Sequence, residues 1–192
     1  MHVIIESASR ILSKLFRESP ADRILYPYLA SELRSRGYVL GIKNLGYIRF
    51  TSSHLSRHLP RNGKGWKSGE LFLLELDFFW HGQFAHLRGV IGPGDEFYRS
   101  RILRAVEGLN LYRKPDGNRW LVVYSKRKKF SAQDVCLEDK DEIERVIRQL
   151  VDFFADDIEA LLSAIDKAIP EPVVAPATMP SHHQSREEAN LD

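Results

Sequence analysis

From Glu70 to Ile91 the chain reads ELFLLELDFFW, then His81-Gly82, then QFAHLRGVI. Two apolar, aromatic-rich runs thus flank a two-residue turn ending in glycine, a pattern typical of a β-hairpin. We therefore predict antiparallel strands over residues 71–80 and 83–91 that turn at His81-Gly82. Burial of one apolar face would hold this hairpin in place, and the rest of the chain would pack around it.

The pairing register follows from the turn. With Trp80 opposite Gln83, one face pairs Phe78 with Ala85, Leu76 with Leu87, Leu74 with Gly89 and Phe72 with Ile91. The other face pairs Phe79 with Phe84, Asp77 with His86, Glu75 with Arg88 and Leu73 with Val90. A slip of one residue would turn every side chain to the opposite face, so the register is well specified. We interpret Glu75 and Asp77 as partners in cross-strand ion pairs rather than as metal ligands.

Composition indicates one globular domain in the cytoplasm. The chain has 192 residues, 43% of them hydrophobic and 28% charged. Its single cysteine, Cys136, permits no internal disulfide, which favours a reducing compartment. No apolar run approaches the roughly 20 residues needed to span a bilayer, and Glu6 and Arg10 interrupt any signal-peptide pattern. We therefore expect no membrane partner.

Periodicity and turn residues predict the remaining elements. Helices are expected over 3–17, from Pro27 to Arg36 with Gly37 as the stop, over 96–108 after the N-cap Asp95, and from Asp139 to Ala168. Short strands are expected over Tyr38–Ile42, Tyr47–Thr51 and Arg119–Tyr124. The predicted fold is α+β: an antiparallel sheet built on the central hairpin (about 71–91) and packed against helices, including a long C-terminal helix.

The predicted domain covers residues 1–169. Beyond it, residues 170–192 are rich in Pro, Ala, Ser and Glu without periodicity, so we predict a disordered tail. The formal charge of the chain is +2, and Arg186 against Glu171, Glu187, Glu188 and Asp192 gives this tail −3. The domain itself is therefore +5, a mildly basic balance that is compatible with nucleic acid.

Two motifs invite a functional interpretation that their context does not support. His54 and His58 have the spacing of zinc ligands on a helix, but Leu55 replaces the glutamate of the metalloprotease motif. The run Gly63-Lys64-Gly65-Trp66-Lys67-Ser68 suggests a phosphate loop, but a strand follows it instead of a helix. We predict no metal site and interpret this run as a basic loop.

The most basic run is Ser125-Lys-Arg-Lys-Lys-Phe130, directly after the strand predicted over Arg119–Tyr124. Its cations could protect a strand end from aggregation or contact phosphates. Arg101 and Arg104 lie three residues apart on a predicted helix and would extend the surface if that helix packed beside the strand. The candidate nucleic-acid-binding residues are Arg101, Arg104, Lys126, Arg127, Lys128 and Lys129.

Several features together resemble the C-terminal half of a family of bacterial PD-(D/E)XK nuclease-like proteins. They are the Gly65-Trp66 loop, the Leu71–Phe79 strand, the strand end Val90-Ile-Gly-Pro-Gly94, Arg99, the basic Tyr124-Ser-Lys126 strand end and the acidic start of the last helix. The resemblance spans roughly residues 5–168. It implies a domain without the catalytic core, because that core lies in the N-terminal half of such proteins.

The catalytic letters of that superfamily do occur, but in the wrong context. Asp116 follows Pro115, and Glu138 and Lys140 stand as an acidic residue and a lysine two positions apart. However, Asp116 begins a turn, while Glu138 and Lys140 bracket a helix cap instead of lying within a strand. We therefore predict no catalytic residue and no cofactor, with magnesium required only if the chain were a nuclease.

Three functions remain open from the sequence. The first is a non-catalytic accessory domain that contacts DNA phosphates through the basic run. The second is a protein-interaction module that partners a separate nuclease subunit. The third is a divergent metal-dependent nuclease.

Overall fold

The computed structural model describes residues 20–41, 47–79, 84–130 and 135–169. Its helices are α1 (Pro20–Ser35), α2 (Ser53–His58), α3 (Glu96–Glu107) and α4 (Lys140–Ala168). Its strands are β1 (Val39–Leu40), β2 (Tyr47–Thr51), β3 (Phe72–Phe79), β4 (Phe84–Ile91) and β5 (Leu121–Lys129). The predicted α+β class and the long C-terminal helix are confirmed. The predicted helix over 3–17, the last residue of the predicted strand Tyr38–Ile42, the turn at His81-Gly82 and the tail 170–192 lie outside the described residues.

The five strands form one antiparallel sheet in the order β1-β2-β3-β4-β5. The hairpin of β3 and β4 has the predicted register at all eight positions, from Phe72 opposite Ile91 to Phe79 opposite Phe84. Alternation along the pleat explains why this register is unique, since it places Phe72, Leu74 and Leu76 together in the core. β5 stands last in the strand order and pairs only with β4 in the described sheet, so it is an outer strand.

The long helix α4 organises the other layer. Ten of its residues are buried, from Ile143 to Ile165, and nine of these are apolar and form one stripe. α1, α2, α3 and β4 all pack against α4. Asp139 caps it, accepting hydrogen bonds from the backbone N–H groups of Asp141 and Glu142. The core consequently lies between α4 and one face of the sheet.

Helix α1 differs from the prediction at its start. It begins at Pro20 and contains Pro27, whereas the sequence placed Pro27 in the first turn. Pro27 is exposed, and burial of Leu25, Tyr26 and Leu29 around it outweighs the roughly 3 kcal/mol that an interior proline costs. The predicted stop is confirmed: Gly37 has φ +83°, and the N–H of Tyr38 donates to the carbonyl of Leu33 as the helix ends.

Strand β5 also differs, because it includes the whole basic run instead of ending before it. Residues 125–129 pair with β4 from Arg88 back to Phe84, so backbone pairing overrides the low strand propensity of lysine. Arg119 and Trp120, predicted as strand, precede β5. An irregularity in the register between Gly89 and Val90 lets the consecutive residues Val123 and Tyr124 both be buried.

Helix α3 begins at the predicted N-cap, where Asp95 accepts a hydrogen bond from the N–H of Phe97. It packs on both α4 and β4. Its buried Arg99 donates to the carbonyls of Gly92, Asn118 and Arg119, which fixes the chain just before β5. None of the helices in the described ranges combines the length and apolar composition needed to cross a bilayer.

Candidate nucleic-acid interface

The basic run of β5 divides its side chains between the two faces of the sheet. Lys126 and Lys128 lie opposite the core residues Leu87 and Ala85, so they project toward the side covered by α4. Arg127 and Lys129 alternate with them and project from the other face. Because β5 is an outer strand, both pairs lie along one edge of the sheet.

Lys126 is held by a buried carboxylate. Its Nζ donates to Asp157 Oδ2 at 2.6 Å, and Tyr124 Oη donates to the same oxygen, also at 2.6 Å. Asp157 and Tyr124 are buried, and burial together with the neighbouring carboxylate raises the pKa of the Tyr124 hydroxyl. Lys126 therefore compensates a charge on α4, and its ammonium is only partly available to a ligand.

Arg127, Lys128 and Lys129 differ from Lys126 because none of them is held by a carboxylate of the described residues. Lys128 Nζ lies 4.4 Å from the ring centroid of Phe153 on α4, a cation–π contact that leaves its charge uncompensated. Arg127 and Lys129 are exposed. Throughout the described ranges, no carboxylate forms an ion pair with Arg127, Lys128 or Lys129. Three consecutive residues thus present positive charge at the end of an outer strand.

Arg101 and Arg104 belong to another part of the surface. Arg101 Nε donates to the carbonyl of Ala168 at the end of α4, and its guanidinium lies 5.2 Å from the ring centroid of Phe97. Both arginines line a groove of about 400 Å³. Ala168 and Asp157, the contact of Lys126, are 11 residues apart, or about 16 Å along the helix. The two arginines therefore extend along α4 away from the β5 run instead of continuing it.

The sheet face opposite α4 carries a second polar cluster. Arg49 Nε pairs with Glu75 at 2.9 Å, and Arg88 Nη2 bridges Glu75 at 3.2 Å and Asp77 at 3.3 Å. Arg88 therefore makes the cross-strand ion pair predicted with Glu75. Tyr47 stacks beneath the guanidinium of Arg49, with 4.7 Å from its ring centroid to Cζ.

One predicted ion pair in this cluster is wrong. His86 lies opposite Asp77 as expected, but burial and the nearby guanidinium groups of Arg88 and Arg127 lower the pKa of His86 to about 4. The imidazole is neutral at pH 7 and its Nε2 lies 2.8 Å from Ser125 Oγ. Burial raises the pKa of Asp77 to about 7, although Arg88 opposes this effect.

The residues that match nuclease letters do not converge on a strand. Asp116 is exposed in the loop before β5 and pairs with Arg113 at 2.8 Å. Glu138 is exposed before α4, and Lys140 is the first residue of that helix. His54 and His58 contact each other through their Nδ1 atoms at 3.0 Å, and within the described ranges no group of three or more His, Cys, Asp or Glu side chains could hold a metal ion.

The sequence analysis missed three residues that bind the polar side chains on the two faces of the sheet: Asp157, Arg49 and Ser125. Asp157 was the clearest missed signal, because it stands between Phe154 and Ile158 on the apolar stripe of α4, where an acidic residue requires a partner. Arg49 and Ser125 were missed because they join the cluster through the β2–β3 and β4–β5 pairings, which were not predicted.

No match was found when the chain was compared with models of protein families, with curated proteins and with solved structures.

Proposed function

We propose that this chain is a non-catalytic accessory domain that contacts DNA phosphates through the outer strand β5, without reading the base sequence. One observation carries the proposal: Arg127, Lys128 and Lys129 are consecutive and have no carboxylate partner in the described structure. Consecutive cations without an ion-pair partner favour contact with a phosphate backbone, because binding releases the counterions condensed on the nucleic acid. The likeness to PD-(D/E)XK nuclease-like proteins and a cytoplasmic location belong to the same proposal.

Backbone contact is favoured over base readout by the element that carries the charge. An outer strand projects its side chains to two sides, whereas readout in the major groove requires a helix or a two-stranded ribbon that enters the groove. Three phosphate contacts give a slope of about −2.7 for log affinity against log salt on duplex DNA. The corresponding dissociation constant lies in the range of about 10⁻⁴ to 10⁻⁶ M that is typical of non-specific binding.

The experiment is a titration of fluorescent duplex DNA at two salt concentrations, with and without magnesium. Replacing Arg127 and Lys129 by Ala removes two exposed cations, and we expect weaker binding to all sequences and a salt slope shallower by about 1.8. Arg34→Ala with Arg57→Ala is the matched control, because it removes one exposed cation from α1, which packs on β1 and β2, and one from α2, which directly follows β2.

Three outcomes would overturn the proposal. The first is wild-type protein that fails to bind DNA of either form, duplex or single-stranded, at low salt. The second is equal loss of binding in the β5 variant and in the control, which would reduce the effect to net charge. Cleavage of DNA in the presence of magnesium would contradict the non-catalytic part, and catalytic residues would then have to be sought by substitution.

A further inference from the structure

Two exposed aromatic rings lie beside the basic end of β5. In the described ranges five large hydrophobic residues are exposed: Ile24, Phe84, Phe97, Trp120 and Phe153. Phe84 lies directly opposite Lys129 in the β4–β5 register, and it is 41% exposed. Phe153 is 40% exposed and contacts both lysines of the opposite face of β5. Solvent-exposed phenyl rings therefore flank the uncompensated cations on both sides of the sheet edge.

Each of the two exposed rings lies close to a lysine of β5. The ammonium of Lys128 lies 4.4 Å from the centroid of Phe153, and that of Lys126 lies 4.8 Å from it. Phe84 and Lys129 are cross-strand neighbours on the other face, where Cβ atoms are about 4.5–5.5 Å apart. Phe84 can therefore stack on a base while Lys129 contacts the phosphate of the same nucleotide. A base on Phe153 would take the place of an ammonium group over the ring and leave Lys128 available to the phosphate.

We infer that the nucleic acid bound by β5 is single-stranded, with unstacked bases lying on Phe84 and Phe153. This inference rests on the proposed function and names its substrate class. Bases in a duplex are stacked on one another and expose only their edges in the grooves, so they cannot cover an aromatic ring. Duplex DNA also has a persistence length of about 50 nm and cannot bend round one sheet edge, whereas a single strand can.

The test compares three fluorescent probes of 20 nucleotides at low salt: a mixed-sequence single strand, the duplex of that sequence, and an abasic strand of equal backbone charge. We expect the single strand to bind more than tenfold tighter than the abasic strand. Phe84→Ala and Phe153→Ala should each weaken binding of the single strand about 5- to 100-fold and leave binding of the abasic strand unchanged, because only stacking is removed.

Three further variants keep the test independent of folding. Phe97→Ala is the matched control, because Phe97 is the most exposed ring and lies on α3 instead of beside β5. It should bind the single strand as the wild type does. Phe84→Tyr and Phe153→Tyr retain a stacking ring and should retain most of the affinity, so a loss seen only with Ala reports the ring.

The possible results separate this inference from the proposed function. Equal affinity for the single strand and the abasic strand, or full binding by both Ala variants, would overturn stacking while backbone contact survives. Tighter binding of the duplex than of the single strand would also overturn it. If no probe binds at low salt, both the proposed function and this inference are wrong.

Discussion

The buried pair of Asp77 and His86 should make opposite contributions to the pH dependence of stability. Asp77 keeps its proton to about pH 7 in the folded protein, but an unfolded aspartate loses it near 3.8. Its contribution to stability is therefore fully present below about pH 4 and is lost as the pH rises through 7. His86 titrates at about 4 when folded and at 6.5 when unfolded, so its contribution is present above 6.5 and lost as the pH falls through 4.

Between pH 4.5 and 6 the two effects should cancel. In this window the folded state holds one proton more than the unfolded state at Asp77 and one fewer at His86. Each proton corresponds to a slope of about 1.4 kcal/mol per pH unit in the free energy of unfolding. In Asp77→Asn only the proton difference at His86 remains. The slope of the free energy of unfolding should then be more positive than that of the wild type by about 1.4 kcal/mol per pH unit.

His86→Gln should have the opposite effect and make the slope more negative by a similar amount. The measurement is urea unfolding followed by circular dichroism at four pH values in this window, and it uses slopes because either substitution can also change stability uniformly. Asp156→Asn is the control, since it makes the same substitution at an exposed position of α4 and should leave the wild-type slope unchanged. Wild-type slopes in both variants would show that neither Asp77 nor His86 carries the protonation state described.

Two further predictions concern a buried hydrogen bond and a close backbone contact. Asp157→Ala should lower the free energy of unfolding by about 2 kcal/mol, because the buried hydroxyl of Tyr124 loses its acceptor, and adding Tyr124→Phe should recover about 1 kcal/mol in urea unfolding. A double variant less stable than Asp157→Ala would contradict that coupling. Gly63→Ala should lower the free energy of unfolding by about 2 kcal/mol, because a Cβ there would overlap the carbonyl oxygen of Glu70, whereas Gly108→Ala has open space and should be neutral within about 0.5 kcal/mol. Equal thermal midpoints for the two glycine variants would argue against the clash.

The hairpin was predictable because its signal is local and redundant. Every position from Phe72 to Phe79 agrees with one register, and a slip would bury Glu75 and Asp77 among apolar side chains. The start of α4 was predictable for a similar reason, since Asp139 carries both the cap and the beginning of an apolar stripe. These elements could be predicted because several local sequence signals agree on the same structure.

The errors arose where distant residues decide the outcome. The extent of β5 depends on β4 supplying hydrogen bonds to a lysine-rich segment, and this pairing joins residues about 40 positions apart in sequence. Pro27 remains within α1 because surrounding apolar residues pack in the core, which no local propensity records. The candidate interface was found by charge alone, and its division between Lys126, which is paired, and Arg127, which is not, required the position of Asp157.

The packing of every described helix against α4 has a consequence for synthesis on the ribosome. α4 is the last described element to be translated, at about 5–20 residues per second, and α1, α2 and α3 emerge seconds before their common partner. During that interval Leu29, Leu33 and Ile102 lack the apolar residues of α4 that belong to the same core. The nascent chain should therefore remain protease-sensitive until the residues around Ile165 have left the exit tunnel.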